Sequence, residues 1–367
     1  MWSKIFRKSA CFDGQWRCSP VHESATGQQK RVIDQKFQEK QSAHETMSRK
    51  WNARPSALAL ADYAEQTFQS LVTCYVHDSE TASKCGISIP PKPQEHNRLR
   101  TLQWNIHYFT DAQGRASSEV TCGIIHEILR TDADVICLNE YADYDRYSQH
   151  SFLEKQLLQS GYTFRCATKA FPTFLAVKES LSPILREISL SESRSAIVAE
   201  LAGPGVVIAG THLDFANGPQ RHLEMSRLLE HLKPSVVDVP MFVVGDLNQQ
   251  RQVDYASNEW KRIANGMDRR RAPRDDGVDS LLQQARFQCP WDTQSPLDTN
   301  WETTYPPSTH WSGTIVDYSY GNQHTRAQGC YISPAQWSDH RMTVCDWEIT
   351  REEENSIGTK GSFFESK

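Results

Sequence analysis

The sequence predicts a mixed α/β fold in which two sheets face each other and helices cover their outer faces, a four-layer α/β/β/α sandwich. Three observations lead there. From Leu99 onward, short apolar runs alternate with amphipathic stretches. Several consecutive runs in the middle follow one another with no helical stretch between them, so they must pair antiparallel. Helices occupy only some of the crossings, whereas a doubly wound parallel sheet needs one in nearly every crossing.

In chain order, Leu99–Ile106 reads as a strand. Ser117 or Ser118 caps a helix whose Val120, Ile124, Ile125, Ile128 and Leu129 share one face, and Val135–Leu138 is a buried strand. A second helix carries Phe152, Leu153 and Leu157 and stops at Gly161, a residue that enters the left-handed turn without penalty. Strands follow at Tyr162–Cys166, Thr173–Val177, Ser195–Leu201 and Gly205–Thr211. Pro219 opens a helix through Leu223, Leu228, Leu229 and Leu232 that closes before Pro234. Met241–Val244, Thr314–Tyr320 and Met342–Ile349 complete the clear strands, and the turn-rich segment from Asn248 to His310 reads as loops on one rim.

Residues 1–98 differ in composition. They are polar and rich in Gln, Lys, Ser and Glu, with one helical pattern over Ser56–Val72 and a proline-rich linker at Ile87–Gln94. The expected organisation is therefore an N-terminal appendage over 1–98, one globular domain over 99–350 and a charged, frayed tail over 351–367.

The 367 residues carry a formal net charge of −5, which excludes a protein that grips long nucleic acid over its whole surface and leaves room for a compact substrate or a local basic groove. Ten cysteines are spread along the chain without the C-x₂-C spacing of a zinc site, a usage that fits a reduced compartment, cytoplasmic or nuclear. No apolar run reaches the roughly 20 residues that span a bilayer. The basic, acid-free start Met1–Phe12 has the composition of a transit peptide, but Asp13 ends it early. A monomer is expected.

Polar residues recur at the ends of the apolar runs: Trp104-Asn105-Ile106, Leu138-Asn139-Glu140, Thr211-His212-Leu213-Asp214, Gly245-Asp246-Leu247-Asn248, Val316-Asp317-Tyr318 and Ser338-Asp339-His340. Strand ends lie at a sheet rim, where loops converge and water enters, so together these make a pocket of carboxylates, amides and imidazoles. Singly, each has an ordinary reading as a turn former, a cap or a core histidine. It is their joint occurrence, each at or directly after an apolar run, that argues for a site.

In this order the motifs resemble those of the endonuclease/exonuclease/phosphatase, or DNase I-like, superfamily, over about Leu99 to Ile349. The resemblance implies that Glu140 is the principal ligand of Mg²⁺ (with Mn²⁺ able to substitute), supported by Asn105 and Asp339. It implies that Asp246 prepares the attacking water, that Asn248, His340 and His212 hold the phosphate, and that Asp317 orients His340. Arg194 matches a basic position that binds substrate, and Asp214 and Arg221 are candidates for the pocket wall. Two departures stand out: Asn139 precedes Glu140 where Gln is usual, and Phe171–Ala176 replaces a stretch that carries a phosphate-side tyrosine in some members.

Chemically, hydrolysis of a phosphate ester needs a hard cation on oxygen ligands to neutralise developing charge. The implied activity is a Mg²⁺-dependent phosphodiesterase or nuclease acting on nucleic-acid ends or nucleotides. A phospholipid or inositol-phosphate phosphoesterase is the alternative, and a non-catalytic module that kept the fold is the third reading. Trp291, Trp301, Tyr305, Trp311 and Tyr320 are candidates for stacking on bases. Arg269–Arg274 is a basic run beside Asp275 and Asp276, read as a solvated loop next to an acidic cluster that includes Asp268 and Asp279.

Overall fold

The computed structural model describes residues 91–93, 95, 97–141, 147–232, 239–267, 277–292, 308–333 and 337–350. The chain divides into two units, Met1–Gln66 and Thr67–Lys367, and every described residue lies in the second. The helix expected over Ser56–Val72, the start of the linker, the Arg269–Arg274 run, Trp301 and Tyr305, and the tail lie outside the described residues.

Two six-stranded mixed sheets form the domain. The first contains β1 (Arg98–Asn105), β2 (Val135–Asn139), β3 (Tyr162–Cys166), β4 (Thr173–Lys178), β11 (Thr325–Ile332) and β12 (Thr343–Ile349), in the order β11-β12-β1-β2-β4-β3. The second contains β5 (Pro183–Ser189), β6 (Ser195–Leu201), β7 (Val206–His212), β8 (Met241–Asp246), β9 (Phe287–Gln288) and β10 (Asp317–Asn322), in the order β5-β6-β7-β8-β10-β9. Each sheet holds one parallel pair, β1 with β2 and β7 with β8, and antiparallel pairs elsewhere.

Period-2 alternation sorts each strand's side chains into two cores. Leu99, Val135, Cys137, Leu175 and Val177 of the first sheet meet Ile197, Ala199, Ile208, Phe242 and Val244 of the second between the sheets. The alternate residues Leu102, Trp104, Ile136, Leu138 and Phe174 pack against the apolar faces of α1 (Ser118–Arg130) and α2 (Tyr147–Gln159). On the other side, Val198, Val207, Ala209 and Val243 pack against α3 (Gly218–Leu232) and α5 (Val278–Gln284). The four layers are those the sequence predicts. Ser117 caps α1 by accepting from the Val120 N–H at 3.1 Å.

Three departures have physical reasons. The Asn248 to His310 segment is more than loops, because α4 (Ser257–Ala264) and α5 fall within it. Both are short helices anchored by few buried residues, Ile263 in α4 and Val278 and Leu282 in α5, which is too sparse to show as a run. The half-exposed strands β5 and β11 were hidden by their polar outward residues. Finally, Cys330 and Cys345 stand directly opposite each other across β11 and β12 and are disulfide-bonded, while Cys122, Cys137, Cys166 and Cys289 are free thiols.

Candidate active site

The parallel pair β7–β8 sets the first part of the site. Thr211 faces Gly245 and His212 faces Asp246 in register. A Cβ on Gly245 would stand 1.8 Å from the Thr211 carbonyl oxygen, and its φ of +152° is one that side-chain residues rarely adopt. Glycine is required here so that β7 and β8 can deliver His212 and Asp246 side by side. The chain then turns at Asn248, whose φ is +52°. Glu140, immediately after β2, also has a positive φ of +51°, and Phe171, just before β4, one of +52°. Non-glycine residues held in the left-handed region cluster where structure is bent to serve a site.

From these ends the polar side chains converge. Asn105 at the end of β1 donates from Nδ2 to Glu140 Oε1 at 3.2 Å and to Asp246 Oδ2 at 3.1 Å, so its amide joins a carboxylate from each sheet. Asp246 Oδ1 accepts from the Asn248 N–H at 3.0 Å. The Nε2 atoms of His212 and His340 lie 3.6 Å and 3.8 Å from Asp246 Oδ2. On its far side His340 Nδ1 meets Asp317 Oδ2 at 2.7 Å, and Asp317 Oδ1 accepts from Gln103 Nε2 at 2.7 Å. That pairing fixes the His340 ring with Nε2 toward Asp246.

Burial sets the proton affinities. Asp246 is pushed up to about 7, first by burial and then by the Asp317 charge, against the opposing pull of His340 and two hydrogen bonds. Burial by itself would lower His340, but the charge and hydrogen bond of Asp317, with Asp246 and Asp339 beyond, raise it to about 10. His212 is driven well below its ordinary value by burial and by the positive charges of Arg194 and His340. At neutral pH the site therefore holds an imidazolium at His340, a neutral imidazole at His212, and a carboxyl at Asp246 poised to exchange a proton.

Asp339 is tied to Asn105 through Ser338, whose hydroxyl lies 2.8 Å from the Asn105 carbonyl oxygen and 3.2 Å from Asp339 Oδ1. Glu140 Oε2 and Asp339 Oδ2 have no hydrogen-bond partner among the described residues. Glu140, beside the Asn105 amide, and Asp339 thus each present an open carboxylate oxygen, the kind of donor a hard cation that keeps most of its own waters takes. Ligand-type atoms of Asp246, Asp317 and His340 also lie within 4.8 Å of one another, as do those of His310, Asp339 and His340.

Arg194 is buried at 1% exposure, with its guanidinium carbon 4.2 Å from the centre of the Phe171 ring. Its Nε and Nη1 have no hydrogen-bond partner among the described residues. Burial lowers its proton affinity against the attraction of Glu224, Asp214, Asp246 and Glu140. Phe171 in turn meets the His212 ring edge-on at 6.2 Å, so the replaced stretch supplies an aromatic wall without a hydroxyl. Asp214 and Arg221 shape the turn after β7: Asp214 Oδ1 accepts from the Ala216 and Asn217 N–H groups, and Arg221 Nη1 donates to the Asp214 carbonyl at 2.9 Å.

Several participants escape sequence reasoning. Gln103 and Asn139 bridge the two sheets behind the site, and Asn139 donates to Thr173 Oγ1 and to the Thr211 carbonyl while accepting from the Asp246 N–H at 2.9 Å. The shorter side chain at 139 is thus fully used. The signal for Gln103 is a polar residue at a core-facing position of a strand. His107 Nδ1 and His310 Nε2 flank Asp339 at 3.7 Å and 3.9 Å, and neither falls at a strand-end motif. Of the aromatic residues named above, Tyr320 is buried and bonded to Asp279, whereas Trp311 stands open to solvent.

The family model described as Endonuclease/Exonuclease/phosphatase family matches residues 102–340. The chain belongs to this family. It is a hydrolase acting on phosphoester bonds. Among solved structures it is similar to an endonuclease/exonuclease/phosphatase from Bacteroides vulgatus, at 14% identity over 69% of this chain and 99% of that one, with a TM-score of 0.50. It is also similar to the human Nocturnin catalytic domain with bound sulfate anion, at 21% identity over 70% and 95% with a TM-score of 0.48. A third is truncated Caenorhabditis elegans TDP2, at 15% identity over 70% and 100%, also with a TM-score of 0.48. No curated protein sequence matches significantly. No helix among the described residues is long and apolar enough to cross a membrane.

Proposed function

We propose that this family member is a Mg²⁺-dependent phosphodiesterase that hydrolyses nucleic-acid ends or nucleotides, working as a monomer in the cytoplasm or nucleus. The observation that carries the reading is the Asp317–His340–Asp246–Asn105–Glu140 chain, in which each group contacts the next and a proton acceptor is poised near neutrality. Glu140, supported by Asn105 and Asp339, would hold the cation, with Mn²⁺ able to replace it, and a bound cation supplies positive charge to neutralise the phosphoryl oxygens. Asp246 takes the proton of the attacking water. His340, charged and oriented by Asp317, stabilises the phosphoryl group, with His212 and Asn248 beside it. Arg194, with two guanidinium nitrogens unpartnered, is poised to bind substrate phosphate.

The test is turnover by purified protein of single-stranded DNA, RNA, phosphotyrosyl DNA and phosphoinositides with Mg²⁺. Cleavage of a nucleic-acid substrate that stops with chelator and returns with Mg²⁺ or Mn²⁺ is expected. Full activity in excess EDTA would sink the metal assignment. Preference for phosphoinositides would move the substrate to the alternative class, and no turnover at all would point to a non-catalytic module.

A further inference from the structure

A groove of about 720 Å³ opens on one flank of the site, with Asp339 and His310 forming its catalytic end. Its other walls come from the loop after β1, from the start of α1 and from the 308–311 and 337–341 segments. Three side chains give it a chemistry of its own. Trp311, 57% exposed, presents a large aromatic surface to it. Trp337 is seated against α1, where Gly123 leaves room for it: a Cβ at that glycine would stand 2.4 Å from the indole. Trp337 is therefore a fixed wall.

The third is Arg341. Its backbone N–H donates to the Thr309 carbonyl at 2.7 Å, but no described residue pairs with its guanidinium. The groove's other cation, Arg115, is held by Asp111 at 2.7 Å. Asp111, Glu119 and Asp339 also line the groove, so among the described residues this guanidinium stays unpaired although carboxylates are close at hand.

We infer that this groove is a substrate-binding arm that receives a nucleoside monophosphate unit flanking the scissile bond, with the base stacked on Trp311 and its phosphate held by Arg341. An indole face accepts any base, and a guanidinium grips phosphate in a fork geometry. A highly phosphorylated inositol fits poorly, since it offers no ring face to the indole and asks for several cations where the described residues leave one unpaired. The inference rests on the phosphodiesterase reading only for what lies at the Asp339 end.

The test is equilibrium binding by calorimetry to the full-length protein in EDTA, which removes cation-held phosphate from the signal. The ligands are adenosine 5′-monophosphate, adenosine, ribose 5-phosphate and inositol trisphosphate. Trp311→Ala should weaken the monophosphate roughly 5- to 100-fold and leave ribose 5-phosphate unchanged, the range for one lost stacking contact. Arg341→Gln should weaken both phosphate ligands about tenfold or more and spare adenosine. Trp311→Phe, which keeps a ring, should restore most of the affinity, and melts of each variant confirm folding.

Monophosphate affinity unchanged in both alanine and glutamine variants, no binding to the wild type, or tighter binding of inositol trisphosphate that ignores Trp311 would each overturn the assignment. Diester hydrolysis together with unchanged binding would remove the groove and keep the hydrolase. Binding that depends on both residues in a protein that hydrolyses no diester would do the reverse.

Discussion

Asp246→Asn separates the chemistry of this site from its stability. The substitution keeps the shape and removes both the proton acceptor and one hydrogen-bond acceptor. Of the two bonds Asp246 accepts, from the Asn248 N–H at 3.0 Å and from Asn105 Nδ2 at 3.1 Å, an amide can keep one. Loss of a positioned general base lowers kcat by roughly 10²–10⁴. Stability should move the other way. Because folding raises the Asp246 carboxyl from 3.8 to about 7, the folded state binds its proton more tightly than the unfolded chain. That contribution is fully present below pH 4 and is lost as pH rises through 7, a penalty with a ceiling of about 4 kcal/mol at pH 8. Subtracting about 1.5–3 kcal/mol for the lost charged hydrogen bond leaves Asp246→Asn neutral to stabilising by about 1–3 kcal/mol at pH 8. For a domain of this size each kcal/mol is roughly 2–4 °C in Tm. The assay is single-turnover cleavage with saturating Mg²⁺ beside thermal melts at pH 8 and pH 5, where the advantage should shrink. In the double variant with His340→Ala, the rate should be far above the product of the single losses, because both act on one phosphate. A wild-type rate with an intact fold would make Gly-Asp-Leu-Asn a structural turn and end the catalytic reading. A Tm that falls more at pH 8 than at pH 5 would refute the raised carboxyl.

The pH profile of kcat/KM should be a bell: the acidic limb, at or below pH 7, follows loss of the Asp246 proton, and the basic limb near 10 follows loss of the His340 proton. Asp246→Asn should remove the acidic limb, and a limb that survives in that variant belongs to another group. Asp317→Asn should cost less than His340→Ala in single-turnover rate, since it disturbs the ring held at 2.7 Å without removing it; equal losses would show that His340 works only through the Asp317 charge. Gly245→Ala should destabilise by about 3 kcal/mol or more in urea melts, because the new methyl meets the Thr211 carbonyl oxygen at 1.8 Å. A soluble protein with an unshifted midpoint would show that β7 and β8 can separate freely. Arg194→Met should hold or raise Tm, since it removes a buried charge with two unpartnered nitrogens, and should raise KM about tenfold or more; an unchanged KM would place Arg194 outside the binding of substrate.

The candidate site is more legible in the sequence than its scaffold because the two leave different signatures. Asp246, His340, Glu140 and Asn105 sit where an apolar run stops, so alternation and termination together mark them without any knowledge of tertiary contacts. Strands β6 and β3 were legible to the residue, and β7 and β8 within two, because β6, β7 and β8 are buried on both faces and β3 alternates Tyr162, Phe164 and Cys166 toward the core. Strand β5 was not, since Arg186 and Glu187, one on each face, interrupt both, and Ile188 is its only buried residue. Gln103, His107 and His310 were missed for a different reason. Their roles arise from partners more than 20 residues away, Asp317 for the first and Asp339 for the other two, and no local period encodes a contact between chain segments that distant. Phe171 is intermediate: its stretch stands out in the sequence as a departure, but its meaning needs the Arg194 guanidinium over its ring.

Those distant contacts explain how one rim can be accurate when its parts come from two sheets. The seam between the sheets is apolar through Val135, Leu175, Ile197, Ile208 and Val244, and apolar packing alone lets one face slide on another at small cost. At the site end the seam turns polar. Gln103 bonds Asp317, and Asn139 bonds Thr173 within its own sheet and Thr211 and the Asp246 N–H in the opposite one. Buried and mutually satisfied, these groups tolerate no slip, because each displaced bond leaves an unpaired polar atom that costs about 1–3 kcal/mol. The register they enforce is the one that brings the candidate site together, since Glu140 and His340 ride on the first sheet while Asp246, His212 and Asp317 ride on the second. A misplacement of 1 Å between such groups can cost on the order of a hundredfold in rate. The polar end of the seam is thus where the stability of the sandwich is converted into the geometry of its site.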